Sequence, residues 1–240
     1  MTTHEHDHNE SERPTRRGSL LRLAGLAAAA GGAAAWRLDS AEAAGAGPLA
    51  VTSGAVNCVL TPELTEGPYY VAGEKIRRDI TEGKPGTPLV LNLRVLSAST
   101  CGVVKNAAVE IWHCDAGGVY SGAVANKPGT NFLRGMQRTN GNGIATFKTI
   151  YPGFYQGRAV HVHVKVHIAG TVVHTGQLFF PAAVTNAVYT KLPYSAHGTR
   201  PDTLNANDAI FRNGGSKGML TLKKNGAGYI GALSMGVHLS

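Results

Sequence analysis

Cysteine is nearly missing from this chain. There are three in 240 residues, Cys58, Cys101 and Cys114. No two make a C-x-x-C pair, which excludes a cysteine-built zinc site. Charge is also sparse, at 16% of residues against 43% hydrophobic. That balance excludes a disordered chain, which needs the reverse. Basic residues are not interleaved with aromatics in any run, so the net charge of +8 does not describe a nucleic-acid groove. A positive field instead favours anionic or phenolic partners. Nowhere is a 3.6-residue apolar period sustained, so long amphipathic helices are not expected. The apolar run from Leu23 to Trp36 is too short and too rich in Ala and Gly to span a bilayer well, so no stable membrane anchor is expected.

What the chain does have is glycine, 31 residues, and short alternating segments between turn signals. Residues 1–43 read as a twin-arginine export signal. Arg16-Arg17 precede the Ala/Gly run, and small residues follow at Ala41 to Ala44. The expected location is a periplasm or the medium, where a Cys58–Cys101 disulfide becomes plausible, though spacing does not decide it. Cys114 lies in an apolar strand and reads as a buried thiol. Residues 44–240 read as one all-β domain, a β-sandwich with irregular loops carrying the site. Strands are expected over 89–96, 107–114, 132–139, 144–150, 160–168, 171–180, 220–222 and 229–237. Asn140-Gly141-Asn142-Gly143 marks a hairpin. After Pro181 the chain reads as irregular, with one helical turn near Asn207 to Arg212.

The most informative stretch runs from Tyr155 to His163. His161 and His163 are two apart in a β-branched run, so their rings leave the same face of a strand and can reach one metal ion. Val162, Val164 and Val166 take the opposite face, the core side. The histidines are therefore expected to look onto a cleft or solvent. Further along lie His113, His167, His174 and His197, which read as structural or exposed.

Four pieces in order then resemble the intradiol ring-cleavage dioxygenases. They are Thr65-Glu66-Gly67-Pro68-Tyr69-Tyr70, Val109 through Ser121 (VEIWHCDAGGVYS), Thr149 through Tyr155 (TIYPGFY), and Arg158-Ala159-Val160-His161-Val162-His163 followed by Gln177. The resemblance implies a non-haem Fe(3+) held by Tyr120, Tyr155, His161 and His163. It implies a catechol-type diol and O2 as substrates and a cis,cis-muconate-type product. Tyr120 is expected to be the phenol that gives way to substrate and takes up a proton. Arg158 would stabilise negative charge on the substrate, and Gln177 would hydrogen-bond near the bound oxygens. Thr65, Pro68 and Tyr69, with Arg158, would wall the substrate pocket. The competing readings are a copper/zinc superoxide dismutase-like sandwich, where a His-Val-His strand also occurs, and a non-catalytic transthyretin-like binding module.

Overall fold

Leu89, Leu91, Leu93 and Val95 point to one face of strand β1 (Pro88–Ser97) and are buried, while Val90, Asn92 and Arg94 point to the other. This period of two is what a half-buried strand requires. In the computed structural model, which describes residues 60–122 and 129–239, seven more strands follow. They are β2 (Ala108–Trp112), β3 (Arg134–Arg138), β4 (Ile144–Ile150), β5 (His161–Ile168), β6 (Thr171–Phe179), β7 (Thr221–Asn225) and β8 (Gly228–Val237). One sheet runs β4-β1-β8-β7 and the other β3-β2-β5-β6. All pairings are antiparallel except β1 with β8. The domain is an all-β sandwich, as the alternation predicts. The proposed export signal and Cys58 lie outside the described residues.

The core joins the apolar row of β1 to Val109 and Ile111 of β2 and to Val162, Val164 and Val166 of β5. Each such side chain contributes roughly 1.5–3 kcal/mol when fully buried. Cys101 is disulfide-bonded, and Cys114 is a free, buried thiol.

Two expectations need correction. The segment after Pro181 is not merely irregular. It holds helix α1 (Ala182–Tyr189), then α2 (Tyr194–His197) and α3 (Ala209–Arg212). At eight residues, α1 is too short to display a period, and one of its three buried positions is Thr185. Pro181 precedes it, where a missing N–H breaks no helical bond. Among the described residues, no helix is long and apolar enough to cross a membrane. The second correction concerns the outer face of β5. His161, His163 and Lys165 do not meet solvent; all three are buried. Residues 61–80 form a strap over that face. Leu64 N–H donates to Thr175 O at 2.9 Å, and Arg77 N–H to Met136 O at 3.0 Å. Lys165 pairs with Glu66 of the strap and lies 3.5 Å from the Tyr70 ring centre.

His174 on β6 gives a pH prediction. It is buried with Nε2 unpartnered, and burial holds its pKa down to about 4. The unfolded chain takes up a proton near 6.5, whereas the folded chain waits until about 4. The contribution of neutral His174 is therefore complete above 6.5 and lost as pH falls toward 4. Relative to wild type, His174→Leu is expected to gain about 2–3 kcal/mol between pH 7 and pH 4. Urea titrations at the two pH values measure this. A stability difference independent of pH would contradict it.

Candidate metal centre

Three neighbouring strands bring the site together through their register. Trp112 on β2 lies opposite His163 on β5, and His163 lies opposite Gln177 on β6. The His163 ring stacks on Trp112, with centroids 4.9 Å apart and planes 5° from parallel. That packing fixes a ring whose Nδ1 is buried without a partner.

His161 is fixed differently. Its Nδ1 lies 2.6 Å from Ala159 O. A carbonyl only accepts, so Nδ1 carries the proton and Nε2 keeps its lone pair. That Nε2 is 3.1 Å from His163 Nε2, 3.1 Å from Tyr155 Oη and 3.5 Å from Tyr120 Oη. Around a metal with bonds of about 2.0–2.1 Å, neighbouring donor atoms lie roughly 3 Å apart. The other three donors stand around His161 Nε2 at 3.1 to 3.5 Å, close to that spacing.

The phenols come from loops at strand ends. The turn after β2 is held by Asp115, whose Oδ1 accepts from Gly117 and Val119 N–H at 3.0 Å. Asp115 O accepts from Gly153 N–H at 3.1 Å, tying the Tyr120 loop to the Tyr155 loop. Tyr69 from the strap stacks on Tyr120 at 4.4 Å and 19° and meets Tyr155 edge-on at 6.0 Å.

Electrostatics favours neutral imidazoles and disfavours bare phenolates. Burial lowers the His161 pKa to about 3 and that of His163 well below the usual value. Both are ligands-in-waiting at neutral pH. Burial also raises Tyr155 to about 12 and Tyr120 well above its usual range. The Arg158 guanidinium works against this at Tyr155 without overcoming it, so neither phenol ionises at neutral pH without a metal ion beside it. Two hard phenolate oxygens with two imidazoles suit ferric iron, so the residues present fit the group that the resemblance implies. Among the described residues, no cluster of three or more His, Cys, Asp or Glu could hold a metal. The tyrosines are what complete this set.

Arg158 stands at the rim of the centre. Its Nη1 donates toward Tyr155 Oη at 3.4 Å, its Nη2 donates to Gln177 Oε1, and its Nε donates to Asp208 Oδ2 at 2.9 Å. Gln177 Nε2 donates to Thr65 O at 2.9 Å. Thus Arg158, Gln177 and Thr65, all implied by the resemblance, form one chain. Pro68 is exposed and sits between Gly67 and Tyr69. The other histidines stay apart from the centre. His113 contacts Cys114 O and Thr149 Oγ1, His167 pairs with Glu110, and His197 contacts Phe154 O. Asp208 escaped the sequence reading. Its one visible signal was its place just before a helical turn, where Asp is a favoured cap.

Residues 65–200 match the family model described as Dioxygenase. An intradiol ring-cleavage dioxygenase from Tetranychus urticae superposes with a TM-score of 0.71 at 34% identity, covering 75% of this chain and 95% of that one. The chain belongs to the intradiol ring-cleavage dioxygenase family. This sets aside the dismutase-like reading. A dioxygenase domain from Streptomyces sp. SirexAA-E has 28% identity and a TM-score of 0.59, over 76% of this chain and all of that one. Catechol 1,2-dioxygenase 2 of Acinetobacter lwoffii is 34% identical over 99 residues, 40% of this chain and 35% of that protein. The chain thus spans about a third of the length of the curated relatives it matches.

Within this family member, Gly67 is required twice. Its φ is +73°, and a Cβ there would lie 3.2 Å from His163 Cε1. Gly157 has φ +80° with nothing within 4 Å of a built Cβ, so it reports the backbone cost alone. Gly67→Ala is expected to cost about 1–2 kcal/mol of stability and also to weaken metal retention. Gly157→Ala should show the first effect without the second. Urea denaturation with metal analysis tests this; equal metal content in both variants would contradict it.

Proposed function

We propose that the protein is a ferric, non-haem dioxygenase that splits catechol-type diols between their hydroxyls with O2, giving cis,cis-muconate-type products. The observation that carries this reading is the convergence of Tyr120, Tyr155 and His163 on His161 Nε2. Tyr120, Tyr155, His161 and His163 would hold the iron. When bound, the iron supplies the Lewis acidity and redox chemistry that make a diol reactive toward oxygen.

The rest falls to the chain. A diol must lose its protons on binding, and a tyrosine oxygen of this site would be a suitable acceptor. Packing favours Tyr155 for this, not the Tyr120 that the resemblance implies. Tyr120 is 2% exposed and stacked under Tyr69. Tyr155 is only partly buried, and Arg158 Nη1 points at its oxygen. A guanidinium there steadies negative charge on Tyr155 or on the substrate oxygens. Gln177 holds Arg158 to the strap through Thr65 O. Tyr69 lies over Tyr120 and beside Tyr155 and would limit ring substituents on that side.

Export through the twin-arginine route to a periplasm or the medium is part of the proposal. The disulfide at Cys101 supports an oxidising compartment. Oxygen-electrode runs with catechol, protocatechuate, hydroxyquinol and chlorinated catechols test the function. Uptake with at least one diol, together with ring-opening absorbance, is expected. No uptake from iron-loaded protein with any of them would refute it.

A further inference from the structure

We infer, on the reading of the site proposed above, that Asp208 is a positioning residue that aligns Arg158 and His161 with the metal centre. Its side chain is fully buried, and its two oxygens do separate jobs. Oδ1 caps α3, accepting from Ile210 N–H at 2.7 Å and Phe211 N–H at 3.1 Å. Oδ2 reaches across the fold to residues fifty positions earlier. It accepts from Arg158 Nε at 2.9 Å and from Ala159 N–H at 2.8 Å.

Both contacts lead into the centre. Arg158, gripped at Nε, has its remaining nitrogens directed at Tyr155 Oη and Gln177 Oε1. A long side chain with this much rotamer freedom holds such an aim only when both ends are fixed. Ala159, gripped at N–H, presents its carbonyl to His161 Nδ1 at 2.6 Å. That contact sets the tautomer which frees His161 Nε2. One carboxylate therefore touches the cation beside Tyr155 and the peptide that orients a histidine. Capping alone does not explain it, since Ser or Asn caps a helix as well as Asp. The oxygen facing Arg158 and Ala159 is the part a cap does not need.

Asp208→Asn separates the two jobs: its Oδ1 can still cap α3, while its NH2, a donor, replaces the oxygen that accepts from Arg158 Nε and Ala159 N–H. With the iron-loaded full chain, the thermal midpoint is expected to fall by several degrees, because a buried ion pair and a buried backbone acceptor are lost, so rates are read well below it. The kcat should fall roughly 10- to 100-fold, the scale of a slightly misplaced group, with KM changed far less. The visible absorption band should shift, since the charge near Tyr155 moves. Asp208→Glu should recover part of the kcat. In an Arg158→Ala background, Asp208→Asn should cost less than it does alone, and what remains runs through Ala159 and His161. A wild-type kcat in Asp208→Asn, or losses that multiply in the double variant, would overturn the positioning role. A crystal structure of Asp208→Asn is read without turnover. Displacement of the Arg158 guanidinium from Tyr155 supports the role, even if wild type proves to cleave no diol, an outcome that sinks only the dioxygenase reading. An Arg158 left in place overturns it.

Discussion

His161→Ala is expected to yield a protein without iron, while His167→Ala keeps it. Both histidines leave the same face of β5, so the face alone does not separate them. Their surroundings do. His161 Nε2 lies within 3.5 Å of the other three donor atoms, so its removal opens the middle of the set. His167 is six residues on, about 20 Å at ordinary strand rise, and its Nε2 faces Glu110 Oε2 at 2.9 Å. Loss of one ligand from a four-ligand site should cut bound metal at least about tenfold, since even supporting residues around such sites cost 10–100-fold when removed. Turnover should fall with it. Metal analysis of both purified variants, with circular dichroism to show that each is folded, gives the answer. Equal iron in the two would break the argument that the 161/163 pair holds the metal.

Tyr155→Phe should lose most of the visible absorption and cut turnover by about 100- to 1,000-fold. The substitution deletes one oxygen and leaves the ring. Its edge contacts to Tyr69 at 6.0 Å, Tyr120 at 5.6 Å and His161 at 5.6 Å remain, so the fold should hold. The deleted atom is 3.1 Å from His161 Nε2 and next to the Arg158 guanidinium. It would serve as a ligand and as a proton acceptor. Loss of a well-placed general base typically costs 10²–10⁴-fold. Absorbance and initial rates on the same preparation test it. Unchanged colour and rate would remove Tyr155 from the ligand set.

The strands were legible because their alternation is strong. β4 spans Ile144–Ile150, the range expected from pattern, and β5 begins one residue after the expected start. The histidine pair was legible for the same reason, since a period of two puts both rings on one face. Two kinds of feature were hidden. Helix α1 is too short to show a period, and its buried set includes a threonine. The strap of residues 61–80 has no pattern at all. It reads as loop, yet it buries the histidine face through single long-range contacts such as Gln177 Nε2 to Thr65 O. Asp208 belongs with the strap. Its bond to Arg158 joins positions fifty residues apart, and a local reading sees only a helix cap. Partners in a β-sandwich site come from loops distant in sequence, and only the register of β2, β5 and β6 brings them together.

The visible absorption spectrum of the folded, iron-reconstituted protein, recorded before and after adding catechol, tests the central claim most directly. Two phenolates on ferric iron should produce a burgundy charge-transfer band that changes when the diol binds. A colourless protein that stays unchanged by catechol would contradict the account.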